Sequence, residues 1–296
     1  MSEEEQIENR KKKSRINQAL GLLLKIGITI LCFWYISQKI NFAAAITALM
    51  KARWLYLFLA LIFFILSKIF SSFRLNINFR NIGLHLSEKK NLKLYWLGMF
   101  YNLFLPGAIS GDAYKVILLR RKYKAPYKKT SVAVLLDRFS GVLALGIILS
   151  IYSLFVLPPT YAALCFIASL LAVLSFYLII RYVLKDFVPG FVPTFFWGLI
   201  VQCCQVICVY LILASLNISW TEREWIFIFL VSAVVSVLPI SLGGGLGTRE
   251  FIFTEGSLFF HHDPQLGVAI SLLFYLVTVF GSVGGVYFSF HDPLVE

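Results

Sequence analysis

Long apolar runs alternate with short polar or basic segments along this chain. The runs cover residues 18–37, 54–72, 131–157, 161–180, 195–214, 225–242 and 265–290. Each is near or above the ~20 residues a helix needs to cross ~30 Å of hydrocarbon. Two shorter runs, 94–109 and 248–260, follow or precede a proline-glycine break. The pattern predicts an all-α, polytopic membrane bundle of about seven spans plus two re-entrant broken hairpins.

The polar segments set the orientation. Arg10, Lys11, Lys12, Lys13 and Arg15 precede the first run, and cations collect on the cytoplasmic side of membrane helices. The N-terminus is therefore placed in the cytoplasm, with residues 1–17 as a basic tail. The first run is too long for a signal-peptide core and lacks a small-x-small exit, so it is expected to remain as an anchor. Residues 73–93 carry Arg74, Arg80, Lys89, Lys90 and Lys93, and 115–129 carry Lys115, Arg120, Arg121, Lys122, Lys124, Lys128 and Lys129. Both flanks of 94–109 thus claim the same side. A re-entrant hairpin fits: Trp96 to Phe104 dips in, Pro106 to Gly111 turns, and a helix from about 113 climbs out. An amphipathic surface helix is the alternative. The last run is followed by HDPLVE, which has no basic residue; this reading leans to the outer side for that tail.

Two breaks resemble each other: LPGAISGDAYKVILLRR at Leu105–Arg121 and LPISLGGGLGTRE at Leu238–Glu250. The first turns on Pro106, Gly107 and Gly111. The second turns on Pro239, Gly243, Gly244, Gly245 and Gly247. Unpaired backbone in hydrocarbon costs several kcal/mol per group. Such breaks persist where protein or trapped water satisfies them, and transporters place substrate sites there. Lys115 lies nine residues after Pro106 and Arg249 ten after Pro239. An inverted repeat accounts for this, and so does chance likeness between two Pro-Gly turns.

Composition agrees with the pattern. The chain is 59% hydrophobic and 14% charged, with 27 Lys and Arg giving a net charge of +12, whereas soluble domains are about a quarter charged. Only Arg223 and Arg249 follow Lys185 among the cations. Because the basic residues flank membrane segments, they read as positive-inside signals and anionic-lipid contacts rather than a nucleic-acid surface. Cys32, Cys165, Cys203, Cys204 and Cys208 all sit inside apolar runs without metal-ligand spacing. His261-His262 is a turn doublet. GGGLGTRE is no P-loop, and no H-E-x-x-H or G-x-S-x-G is present. No metal and no cofactor is expected.

The candidate chemistry lies in charges that the apolar pattern leaves exposed to membrane. Asp112 and Lys115 open the helix after the first break; Arg249 and Glu250 open the one after the second. Helix N-termini favour phosphate, and these cations strengthen that preference. Asp112 can also simply cap its helix. Asp137-Arg138 interrupts AVLLDRFSGVLAL; intramembrane charges cost about 2.5–3.5 kcal/mol each on insertion scales and so face a bundle interior and pair. Adjacent residues point about 100° apart, so each needs its own partner among Asp112, Lys115, Arg249 and Glu250. A structural ion pair near the interface is the plainer alternative. Glu255 is close enough to join this network, and Asn102 to tie the broken backbone.

NLFLPGAISGDAYKVILLRR, SVAVLLDRFSGVLAL and LPISLGGGLGTRE occur in the order seen in the lysylphosphatidylglycerol synthase transmembrane-region family, also called the flippase-like domain family. The resemblance covers about 18–290. It is carried by Asn102, Leu105, Pro106, Gly107, Gly111, Asp112 and Arg120, by Asp137, Arg138 and Gly141, and by Pro239, Ser241, Gly243, Gly244, Gly247, Arg249 and Glu250. It departs at Ser110, where Gly is usual, at Lys115, where Arg is common, and in LLFYLVTVF, which lacks an expected Arg. Fused members of the family join this region to a soluble aminoacyl-transferase that makes lysyl- or alanyl-phosphatidylglycerol, which the membrane region moves between leaflets. The resemblance implies a stand-alone lipid-translocating module in a bacterial inner membrane, 18–290, not an enzyme. Its ligand would be an anionic or phosphate-bearing lipid such as a phospholipid or polyprenyl phosphate. A membrane-embedded transferase using Asp112, Asp137 or Glu250 as base, and an anchor for a separate lipid-modifying enzyme, are the alternatives. Oligomeric state is not legible.

Overall fold

The computed structural model describes residues 47, 50–104, 110–237 and 248–294, all within the unit Phe42–Glu296. The predicted span at 18–37, and the break residues Pro106, Gly107, Pro239, Gly243, Gly244, Gly245 and Gly247, lie outside the described residues. The described residues are helical, with no strand among them.

The helices are α1 (Trp54–Asn81), α2 (Glu88–Phe104), α3 (Ser110–Tyr123), α4 (Tyr127–Val156), α5 (Pro159–Val183), a 3-10 turn (Lys185–Gly190), α6 (Phe191–Ser215), α7 (Glu224–Val237), α8 (Thr248–Phe259), α9 (Pro264–Val283) and α10 (Gly285–Phe290). Five are long and apolar enough to cross a membrane: α1, α4, α5, α6 with its 3-10 lead-in, and α9. Local chemistry starts them. Pro159 opens α5, where a missing N–H is harmless. Asp263 caps α9, its carboxylate accepting from Gln265 N–H at 2.9 Å, with Pro264 next.

Three boundaries differ from the sequence expectation. The predicted span 54–72 runs on to Asn81, because Arg74 is neutralised inside the bundle rather than exposed in a loop. The run 225–242 yields a described helix of only 14 residues, α7, about 21 Å at 1.5 Å per residue and shorter than the hydrocarbon core. The run 265–290 divides after Val283. There Gly285 passes so close to α2 that an added Cβ would lie 2.5 Å from the Trp96 carbonyl. The Trp96 indole meanwhile donates to the Gly281 carbonyl at 2.8 Å.

α1 and α6 form the central pair, and α4 packs beside both. α5 leans mainly on α4 and leaves most of its surface outward. α2 packs against α3, and α7 against α8, so each break joins a helix pair. Two apolar clusters fill the interior. One holds Phe64, Leu145, Ile212, Trp225, Phe229, Phe253 and Phe274; the other holds Leu75, Phe79, Leu94, Leu119, Leu136 and Phe187. On α1 the clusters are separated by residues 65–74, and on α4 by 137–144, so a polar layer lies between them.

The two ends of the bundle are distinct. At one, Arg53 N–H donates to the Ser215 carbonyl at 2.9 Å. At the other lie Arg80–Glu88, Lys129–Asp186 and Lys122–Asp292. Leu294 is buried in the second apolar cluster. The tail therefore sits at the basic end, where Lys122 supplies the positive charge that the tail itself lacks.

Candidate functional site

The polar layer is built from one face of each of several helices. On α1, Lys68, Ser71 and Arg74 recur every three residues and so share a face. α4 contributes Asp137, Arg138 and Gly141. α3 contributes Asp112 and Lys115, α2 contributes Tyr95, Met99 and Asn102, and α6 contributes Gln202 and Gln205. Together they line a cavity of about 280 Å³.

Its charges are mostly paired. Arg74 grips Asp137 with two bonds, Nε to Oδ1 at 2.7 Å and Nη2 to Oδ2 at 3.2 Å, and both side chains are buried. Asp112 takes two cations: Lys115 Nζ at 2.9 Å on one oxygen and Arg138 Nε on the other. Thus Asp137 and Arg138, diverging on α4, do find separate partners. Arg138 meets Asp112, but Asp137 meets Arg74, which the sequence pattern places in the polar segment 73–93. Lys115 Nζ also lies 4.4 Å from the centre of the Tyr95 ring. Its stem passes over Gly98, where any Cβ would collide with Lys115 Cε.

The first hairpin is held closed by its own polar groups. Asn102 Oδ1 accepts from Gly111 N–H at 2.9 Å, and Ser110 Oγ donates to the Tyr101 carbonyl at 2.9 Å. One of the α3 N–H groups that have no partner within their own helix, that of Gly111, is thereby satisfied. A Cβ at Gly111 would strike the Gly98 carbonyl, so only glycine permits this backbone crossing.

The second hairpin treats charge differently. Arg249 is buried, with its guanidinium 4.7 Å from the centre of the Phe274 ring. Phe274 meets Phe64 edge-on at 6.1 Å, and Phe64 carries Lys68 Nζ at 4.5 Å from its centre. Arg249, Phe274, Phe64 and Lys68 thus form one chain of ring contacts. Glu250 accepts from Ser271 Oγ at 3.1 Å. Neither Arg249 nor Glu250 lines the charged cavity. Glu255 is exposed and lines a separate apolar groove with Phe227, Ile228, Ile252 and Phe259. The open end of this hairpin is closed by His262, which stacks on Trp225 at 4.8 Å and lies 3.9 Å from Glu224.

Sequence reading missed Lys68, Ser71, Tyr95 and Gln202, and misassigned Arg74. The signal was present in FILSKIFSSFRLN: had the helix been extended to its real end, two cations six residues apart would have stood on one buried face. Among the described residues no three His, Cys, Asp or Glu side chains gather as metal ligands.

No curated protein and no solved structure matches the chain. One family model does, the one described as lysylphosphatidylglycerol synthase TM region, over residues 22–285.

Proposed function

Because the chain belongs to the lysylphosphatidylglycerol synthase TM region family, we propose that its charged cavity holds the phosphate-bearing headgroup of a membrane lipid. The tails stay in the bilayer, and the headgroup passes between leaflets through this layer. The family and the five apolar helices make this a multi-pass membrane protein with a lipid-related role. The observation that carries the finer reading is the charge of the cavity wall. Lys68, Arg74, Lys115 and Arg138 face Asp112 and Asp137, four cations against two carboxylates. An excess of two positive charges inside an apolar bundle suits an anion, because a charge without a counter-ion is costly there. The volume lies near the lower end of the roughly 300–1,000 Å³ usual for small-molecule sites, which fits a headgroup rather than a whole lipid.

Binding and movement account for the site better than catalysis. Both carboxylates are engaged in ion pairs, so neither is poised as a general base.

The two helix pairs are read as re-entrant. α2 begins among Glu88, Lys89, Lys90 and Lys93, and α3 ends in Arg120, Arg121 and Lys122, so both ends of that pair suit one cytoplasmic surface. The ends of the other pair meet through Glu224, Trp225 and His262. With the pairs entering from opposite faces, the full crossings among the described residues are α1, α4, α5, α6 and α9. The tail then lies at the same basic surface as the ends of the α2–α3 pair, in keeping with the Lys122–Asp292 pair.

The test is reconstitution into vesicles with a headgroup-labelled phospholipid. Exchange between leaflets well above protein-free vesicles is expected; exchange equal to protein-free vesicles would contradict the proposal.

A further inference from the structure

Resting on that reading, we propose that Lys68, Arg74 and Gln202 form a subsite that recognises a phosphate together with a hydroxyl on the same headgroup. The proposal starts from polar atoms that the protein itself leaves unused. Arg74 spends Nε and Nη2 on Asp137, but its Nη1 is buried without a hydrogen-bond partner. That nitrogen lies beside Gly141, whose added Cβ would stand 2.7 Å away. Lys68, two steps of three back along the same face of α1, has its Nζ over the Phe64 ring and no carboxylate paired with it among the described residues. These two groups are donors.

Gln202 supplies the opposite need. Its Nε2 donates to the Gly141 carbonyl at 3.2 Å. A carbonyl only accepts, so this contact fixes the amide orientation and turns Oε1 away as the free end. Oε1 is buried without a partner, on a residue only 8% exposed. Gly141 thus lies between an unused cationic donor and an unused acceptor, and all three side chains line the same cavity. Buried polar groups are rarely left without partners, because desolvation is then uncompensated.

An ionised phosphodiester satisfies Arg74 Nη1 and Lys68 but offers Oε1 nothing, since it has no proton to donate. A hydroxyl beside the phosphate completes the set. An ammonium would also donate, but it would enter a wall already carrying two excess positive charges. The class selected is therefore an alcohol-bearing phosphate ester. A lipid headgroup and a free polyol phosphate share that chemistry.

The experiment titrates full-length protein in neutral detergent with three probes. Short-chain phosphatidylglycerol and phosphatidylpropanol have the same charge and differ in two hydroxyls; glycerol phosphate has the headgroup without the tails. Wild type is expected to bind phosphatidylglycerol about five- to tenfold more tightly than phosphatidylpropanol, and glycerol phosphate much more weakly than either. Gln202→Met should bring the two lipids within about twofold, leaving phosphatidylpropanol unchanged. Lys68→Gln should weaken both lipids about tenfold, and Lys68→Arg should restore most of it. Equal binding of the two lipids by wild type overturns the hydroxyl inference and leaves the headgroup reading standing. Binding of no probe overturns both. Glycerol phosphate binding as tightly as phosphatidylglycerol, with the hydroxyl preference intact, supports the subsite and removes the lipid from the reading.

Discussion

The α2–α3 pair and the α7–α8 pair share one sequence motif, Leu-Pro followed by a glycine-bearing break and a charged helix start, yet set their charges against different neighbours. In the first, Asp112 joins Lys115 and Arg138 into a buried three-membered cluster, and backbone meets backbone at Gly98 and Gly111. In the second, Arg249 lies against an aromatic ring, and Gly256 faces the flexible Ile228 side chain. The motif follows the last described residue of α2 and of α7. The neighbouring helix decides what the next one does: α3 packs on α4, with Arg138, whereas α8 packs on α9, with Ser271 and Phe274. One pair sets its charges in the cavity wall, and the other packs its cation against an aromatic ring.

The sharpest way to break this contrast is to remove the central carboxylate. Asp112→Ala strips Lys115 and Arg138 of that partner inside the bundle and should cost about 3–5 kcal/mol. Ser271→Ala, which removes one hydrogen bond to Glu250, should cost about 1 kcal/mol. Unfolding in mixed detergent, followed by helicity, compares them; similar losses would erase the distinction between the pairs.

Next in size is the backbone crossing. Gly111→Ala forces a methyl into the Gly98 carbonyl and should cost about 1–3 kcal/mol. Gly256→Ala meets Ile228 carbons from 2.8 Å outward, which can rotate aside, so its cost should stay under about 1 kcal/mol. Thermal melting of the two variants in the same detergent reads the difference directly.

A smaller effect probes the aromatic brace. Phe274→Leu keeps an apolar side chain but removes the ring beneath Arg249. The loss should be about 1–2 kcal/mol, with little change in headgroup affinity, since Phe274 does not line the cavity. A titration showing affinity falling tenfold would mean the brace is part of the binding wall.

The smallest effect is at the tail. Burial raises the Asp292 carboxyl somewhat, but the Lys122 ammonium and the Leu294 N–H outweigh it and hold it below the ordinary carboxylate range. A lowered folded value means the stabilisation is present above about pH 4 and fades as pH falls through the folded value. With both side chains about a third exposed, the pair should contribute under about 1 kcal/mol. Proteolysis of the tail should therefore quicken in acid for wild type, and Asp292→Asn should show that faster rate already at neutral pH.

Much of this was legible from the chain. The apolar runs forecast helices, and the charges of Asp112, Lys115, Asp137 and Arg138 forecast a buried polar layer. Two things were hidden for physical reasons. Arg74 reads as a loop residue because a cation in an apolar context is costly alone; its partner, Asp137, is sixty-three positions away and invisible to local pattern. The tail's contact with the basic end is hidden too, because it has no cations of its own and Lys122, which meets Asp292, is far away in sequence. Motif likeness groups Arg249 and Glu250 with the first cluster; the contacts that the sequence does not show are those with Phe274 and Ser271 on α9.

The most direct test of the central claim blocks the cavity in a working protein. With the five native cysteines replaced, Val142, which lines the cavity, becomes Val142→Cys, and exposed Ser87 becomes Ser87→Cys as the control. Both are treated with a water-soluble thiol reagent, and exchange of headgroup-labelled lipid across vesicle leaflets is followed. The account predicts that modification at 142 drops exchange to the protein-free rate while modification at 87 leaves it unchanged. Full exchange with position 142 modified to completion would contradict it.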